Sequence, residues 1–181
     1  MSALLTQPMC ERAWDVVLPA IRAAADDGVI NKRAGTIVVL DPTMAYAPGV
    51  RVSSVAVYME HVSLVYPEWD KYQKLAEAKA MLSWRTGRSS HDVQQNAPHL
   101  YLEPQNADDQ GDIKWGGSVV RDGLVVAFSG VQPEYDEWIA DTMAGLLIAM
   151  CRREMTKPDG IMEAGSNFVT GEAQHIPSIL R

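Results

Sequence analysis

Apolar residues recur at two different spacings along this chain, and the switches between them mark its elements. Over residues 133–150, Tyr135, Trp138, Ile139, Met143, Leu146, Leu147 and Met150 return every three or four positions, the stripe of an amphipathic helix. Pro133 opens it where a missing N–H costs nothing. Glu134, Asp136 and Glu137 in its first turn and Arg152 and Arg153 at its end complement the helix dipole. Just upstream, apolar runs at 118–120 and 124–128 flank Arg121, Asp122 and Gly123. Asp-Gly between β-branched runs predicts a hairpin, because glycine takes a positive φ without steric cost. Ser129 and Gly130 close the second strand.

The remainder follows the same logic. Residues 8–27 predict a first helix, with Cys10, Ala13, Trp14, Val17, Ala20, Ile21 and Ala24 on one face and Pro19 on the polar side. Gly28 is its stop. Residues 35–40 are a buried-strand run ended by Asp41 and Pro42. Residues 43–49 read as a loop and 50–59 as a half-exposed antiparallel strand. Over 68–85, Trp69, Tyr72, Leu75, Ala76, Ala80 and Leu82 share one helical arc, with Lys71, Lys74, Glu77 and Arg85 opposite. Residues 87–114 are long, polar and non-periodic, the pattern of a lid or crossing loop. Residues 156–181 carry turn residues without periodicity and read as a tail packing on its own domain or on a neighbouring subunit.

Composition narrows the function classes. With 181 residues, 47% hydrophobic and 22% charged, the chain suits a single globular domain with a full core. The net charge of −7 and the lack of any basic cluster beyond two or three residues argue against nucleic acid. No apolar run approaches the about 18 residues of a membrane span, and residues 1–8 show no signal-peptide pattern. Cys10 and Cys151 are expected reduced and the protein cytoplasmic.

Lys79 is the residue that breaks the pattern. It falls in the middle of the apolar arc, where an ammonium needs a partner, a ligand or a path to water. It either snorkels to the rim or pairs with a buried carboxylate, or it contacts an anionic ligand beside the sheet. Gly116 and Gly117 suit a bulge or close packing, or backbone N–H groups that meet a small ligand. Glu134, Asp136 and Glu137 fit a solvated first turn, with any one able to act as a base if it faced a pocket. The aromatic residues Tyr58, Tyr66, Trp69, Tyr72 and Trp115 fit core or interface. His99, beside Pro98, is a ligand or proton-shuttle candidate. The four histidines never take metal-ligand spacing, and no Gly-x-Ser-x-Gly elbow or phosphate loop occurs, so no metal site is expected.

These blocks resemble a known family. The run from Gly116 and Gly117 through the hairpin to Ser129, Gly130 and the Pro133-Glu134-Tyr135-Asp136 helix start is similar to the closing signature of the GlcG/HbpS family. Ala76 to Ala80 with Thr86, Gly87 and Arg88 resembles its Ala-x-x-Lys-Ala helix and Thr-Gly-Arg exit, and residues 37–41 resemble its Ala-Val-Val-Asp strand. The resemblance covers roughly residues 10–153. It implies an α+β, profilin-like fold, an antiparallel sheet flanked by helices, in a single domain over residues 1–155 with a tail at 156–181. It also implies homo-oligomers and, in some members, haem. Haem binders of the family use a histidine near the first helix. Residues 1–33 hold none, so no axial ligand is carried over.

Two functions follow as expectations. One is a small-ligand-binding protein of the GlcG/HbpS type, with haem as a candidate ligand, accessory to a catabolic pathway, with its pocket among Lys79, Gly116, Gly117, Asp136 and His99. The other is an enzyme on a small organic acid or aromatic catabolite. There Lys79 would hold the carboxylate, and Asp136 or His99 would move the proton. A third expectation is an accessory subunit whose aromatic surface meets a partner protein.

Overall fold

Leu124, Val126 and Phe128 join one hydrophobic cluster while Val125 and Ala127 join another, and all five are buried. A strand with this alternation lies between two apolar layers. The computed structural model describes residues 5–62, 68–104 and 111–156 and shows both layers. Strands β1 (Gly35–Leu40), β2 (Ala56–Val62), β3 (Ser118–Arg121) and β4 (Leu124–Ser129) form one antiparallel sheet in the order β2-β1-β4-β3. Helices α1 (Gln7–Asp26) and α5 (Pro133–Met155) cover one face, and α3 (Glu68–Thr86) covers the other. Short helices α2 (Val52–Val55) and α4 (Ser90–Asn96) and a single 3-10 turn at Pro98–Leu100 complete the described elements. The α+β, antiparallel, single-domain architecture is the one expected. No helix among the described residues is long and apolar enough to cross a membrane.

The hairpin closes as its turn residues require. Asp122 and Gly123 both take positive φ, 49° and 81°, the geometry that matches the twist of paired strands. At the far end of β4, Gly130 is packed so tightly that an added Cβ would collide with the Ala34 carbonyl. The chain therefore turns into α5 hard against the start of β1.

Four expectations are corrected. Residues 50–59 do not run as one strand: Val52 and Val55 are buried with Ser53 and Ser54 exposed between them, a three-residue period that makes a helical turn. Strand pairing begins only at Ala56, opposite Leu40. The segment 87–114 is not all loop, because Ser89 caps α4 by accepting from the Asp92 N–H at 3.1 Å. Trp69 and Trp138 leave their stripes, at 41% and 40% exposure. Asp136 is not solvated but buried with Ile139, Ala140 and Met143. The α5 stripe is thus rotated so that an acid replaces an aromatic residue on its inner face. Tyr66 and residues 157–181 of the expected 156–181 tail lie outside the described residues.

Cys10 is fully buried in the α1 layer and remains a free thiol, as does half-buried Cys151. Burial, helped by Cys151 and Glu11, pushes the Cys10 thiol from 9.0 up to about 12. The unfolded chain therefore releases this proton first. Stability contributed by Cys10 is intact below pH 9.0 and is lost as pH rises toward about 12. Two results are expected: Cys10 resists alkylation at pH 8 in the folded protein, and Cys10→Ala flattens the alkaline limb of a denaturation series.

Candidate functional site

The site forms where α3, the start of β3 and the start of α5 meet at one end of the sheet. Lys79 projects from the inner face of α3 and is 1% exposed. Its Nζ donates to Asp136 Oδ2 at 2.6 Å and to the Phe128 carbonyl at 3.1 Å. Asp136, 2% exposed, sits in the first turn of α5, and its Oδ1 accepts from the Gly130 N–H at 3.1 Å and the Val131 N–H at 3.0 Å. One carboxylate thus neutralises the ammonium and satisfies two backbone donors in the turn between β4 and α5. Such charge-assisted bonds are the stronger kind.

Gly117 makes room for this pair. Its φ is +123°, and an added Cβ would lie 2.7 Å from Lys79 Nζ, 2.7 Å from Asp136 Cβ and 2.8 Å from the Phe128 carbonyl oxygen. The missing side chain is the gap through which Lys79, from one layer, reaches Asp136 in the other. Gly117 stays in register all the same, accepting from the Phe128 N–H at 2.8 Å.

Three buried serines hold the base of the arrangement. Ser118 Oγ donates to the Lys79 carbonyl at 2.9 Å, which leaves Ser83 Oγ as donor in the 2.7 Å contact with Ser118 Oγ. Ser90 Oγ accepts from the Ser118 N–H at 3.0 Å. These bonds join α3, α4 and β3 around the Lys79 turn. Sequence reasoning missed all three, although Ser83 follows Lys79 by one helical turn on the same face, which was the available signal.

Burial dominates the electrostatics. It pulls Lys79 below the usual lysine range, against the attraction of Asp136. It pushes Asp136 above the usual carboxylate range, against Lys79 and the two backbone N–H groups. Both oxygens of Asp136 are engaged and Lys79 has two acceptors, so the pair is an internal clamp.

Outside the clamp, Gly116 is buried against His91 and Glu137. The nearest atoms to a Cβ there would be Glu137 Oε2 at 3.6 Å and His91 Cβ and Nδ1 at 3.7 and 3.8 Å. His91 Nδ1 and Glu137 Oε2 stand 3.9 Å apart, with the imidazole half exposed. Burial pushes the Glu137 carboxyl upward, with His91 opposing and Asp141 adding. The chain thus brings together Lys79, Gly117 and Asp136 directly and sets Gly116 beside them. His99 stands exposed on the 3-10 turn, and no hydrogen bond or ion pair among the described residues joins it to the others. His91 and Glu137 were not singled out as a pair by sequence. Among the described residues no group of three His, Cys, Asp or Glu side chains could hold a metal ion.

A solved structure decides the fold relationship. The Klebsiella pneumoniae protein ORFY, of the DUF336 family, superposes with a TM-score of 0.50 at 14% identity, over 77% of this chain and 88% of that one. The chain carries a DUF336-type fold. That fold is GlcG-like, in agreement with the sequence resemblance, and at this identity the likeness concerns the fold alone. A PduOC:heme complex is also similar, at a TM-score of 0.46 and 18% identity over 75% of this chain and 91% of that one. No family model and no curated protein matches the sequence. In this chain, the clamp occupies the junction of the three elements that carry the resembling motifs.

Proposed function

We propose that this chain is a small-ligand-binding protein of the GlcG/HbpS type, accessory to a catabolic pathway and without strong catalytic machinery. The observation that carries the proposal is the corner at Gly116. A side-chain-free backbone lies under a half-exposed imidazole and a half-buried carboxyl, held rigid from beneath by the Lys79–Asp136 clamp. Rigid support of this kind lowers the ordering cost of binding. In the alternative, enzymatic reading, Lys79 anchors a substrate carboxylate. The ammonium would first have to leave Asp136, so the geometry favours binding over catalysis.

Haem, which the resemblance implies, fits the described residues poorly. α1 carries no histidine, and His61 Nδ1 is held at 2.8 Å by Thr36 Oγ1 with its ring against Trp69. His91 faces Glu137. Absorption titration with haem is expected to give no histidine-ligated Soret band; a band abolished by His99→Ala would restore haem as the ligand. In parallel, small aromatic acids titrated into isotope-labelled protein are expected to shift the amides of Gly116, His91 and Glu137. His91→Ala is expected to weaken that binding about tenfold, the order of one charge-assisted hydrogen bond. Shifts confined to other surfaces would sink the proposal. The reading includes a homo-oligomer, supported by the exposed Trp115 and Trp138, since exposed aromatic residues mark interfaces; light scattering on the purified chain tests it.

A further inference from the structure

A second cleft lies away from the clamp, between α1 and the edge strand β2, with a volume of about 380 Å³. That size falls in the range of small-molecule sites, roughly 300–1,000 Å³. Glu11, Asp15 and Arg22 line it from the outer face of α1, Glu60 and Tyr58 from β2, and Trp14 from beneath. Three carboxylates face one guanidinium, so the cleft is acidic. No ion pair among the described residues joins Arg22 to any of them, whereas Glu11 Oε1 accepts from Gln7 and Glu60 Oε1 from the His61 N–H.

Tyr58 is the decisive group. It is 7% exposed, and its hydroxyl has no hydrogen-bond partner among the described residues. Buried phenols are ordinarily paired, because an unmet hydroxyl is costly. The hydroxyl is not among the sealed, unpartnered atoms of the protein, which are Arg85 Nε and Tyr101 Oη among the described residues. Its opening is therefore the cleft that Tyr58 lines. Burial first, then Glu60, Glu11, Cys10 and Asp15, hold the phenol well above its usual range, so it stays protonated at any physiological pH. A neutral phenol oxygen in an acidic surround is an acceptor waiting for a donor that carries positive charge.

We propose that the cleft between α1 and β2 binds a small organic cation, an amine on an apolar body. Its ammonium would donate to Tyr58 Oη and lie among the carboxylates of Glu11, Asp15 and Glu60, with the apolar part against Trp14. A bare metal ion is a poor occupant, since no three of these groups are clustered tightly enough to coordinate one. The aromatic wall adds a cation–π contribution. This site is separate from the Gly116 corner, so either can fail without the other.

Calorimetric titration of the whole chain with 2-phenylethylammonium at low salt tests the inference, with 3-phenylpropanoate as the isosteric anion. Saturable binding of the amine is expected, weakened at least tenfold by Tyr58→Phe and by Glu60→Gln and weakened further as salt rises. Tyr58→Phe keeps the buried ring, and Glu60 is exposed, so both variants retain the fold; thermal melts confirm this. No saturable heat, equal affinity for the anion, or unchanged affinity in both variants would overturn the proposal.

Discussion

Lys79→Met lowers the stability of this protein by about 3–5 kcal/mol, the cost of leaving one member of a buried ion pair uncompensated. The methionine fills much of the lysine stem's volume, so the loss measures charge rather than cavity. Asp136→Ala costs more, because it also strips the acceptor from the Gly130 and Val131 N–H groups at the entry to α5. Asp136→Asn separates the two contributions. Its carbonyl oxygen can still accept from Gly130 and Val131, but Lys79 loses the only carboxylate paired with it among the described residues. With that attraction gone, desolvation pulls Lys79 further below its usual value of 10.5. A group depressed on folding gives stability that is present above its unfolded pKa and lost as pH falls through its folded one. The Asn variant is therefore expected to recover stability as pH rises toward 10.5, while the Ala variant, which has also lost the two backbone bonds, stays less stable than it at every pH. Urea denaturation at a series of pH values checks the ordering. Equal stability of Lys79→Met and wild type at pH 7 would show that the clamp contributes nothing.

Gly117→Ala is expected to cost about 2–5 kcal/mol, combining backbone strain with overpacking. The φ of +123° is one that L side chains rarely adopt, and the new methyl would meet Lys79 Nζ, Asp136 Cβ and a backbone oxygen below 3 Å. Relief requires the ammonium and the carboxylate to part, so the variant should also loosen the β4–α5 turn. Faster hydrogen exchange at the Gly130 and Val131 amides would report that loosening. Gly116→Ala makes the useful contrast: its Cβ would meet no atom closer than 3.6 Å, so stability should change little while the methyl group packs against His91 and Glu137. Adjacent glycines thus differ: Gly117 has no room for a side chain, whereas Gly116 has room for a methyl group beneath His91 and Glu137.

Much of this arrangement is written locally. The periods of three to four and of two along the chain are set by each residue's own neighbours. They are enough to place α1, β1, α3, the hairpin and α5 within a few residues. Asp122 and Gly123 specify the turn because only certain residues tolerate positive φ. The anomaly at Lys79 is legible as well, since a charge on an apolar arc must find a partner. Where local periodicity is ambiguous, it misleads. Val52 and Val55 fit both a strand and a helical turn, and burial against α3 settled them as a turn. Ser89 carries a capping signal too short to stand out in a polar stretch.

What the sequence by itself determined is therefore the set of elements, the fold class, and the fact that one lysine required compensation. The identity of that compensation was decided only by tertiary structure. Asp136 lies 57 residues from Lys79 and looked like one of three interchangeable acids in a helix's first turn. Rotation of α5 against the sheet turned that one inward and left Glu134 exposed. The pairing of His91 with Glu137, and the seating of Tyr58 between two acidic walls, depend likewise on how layers pack. Contacts between distant segments follow from the rotation and offset of packed elements, and no spacing along a single element records either one.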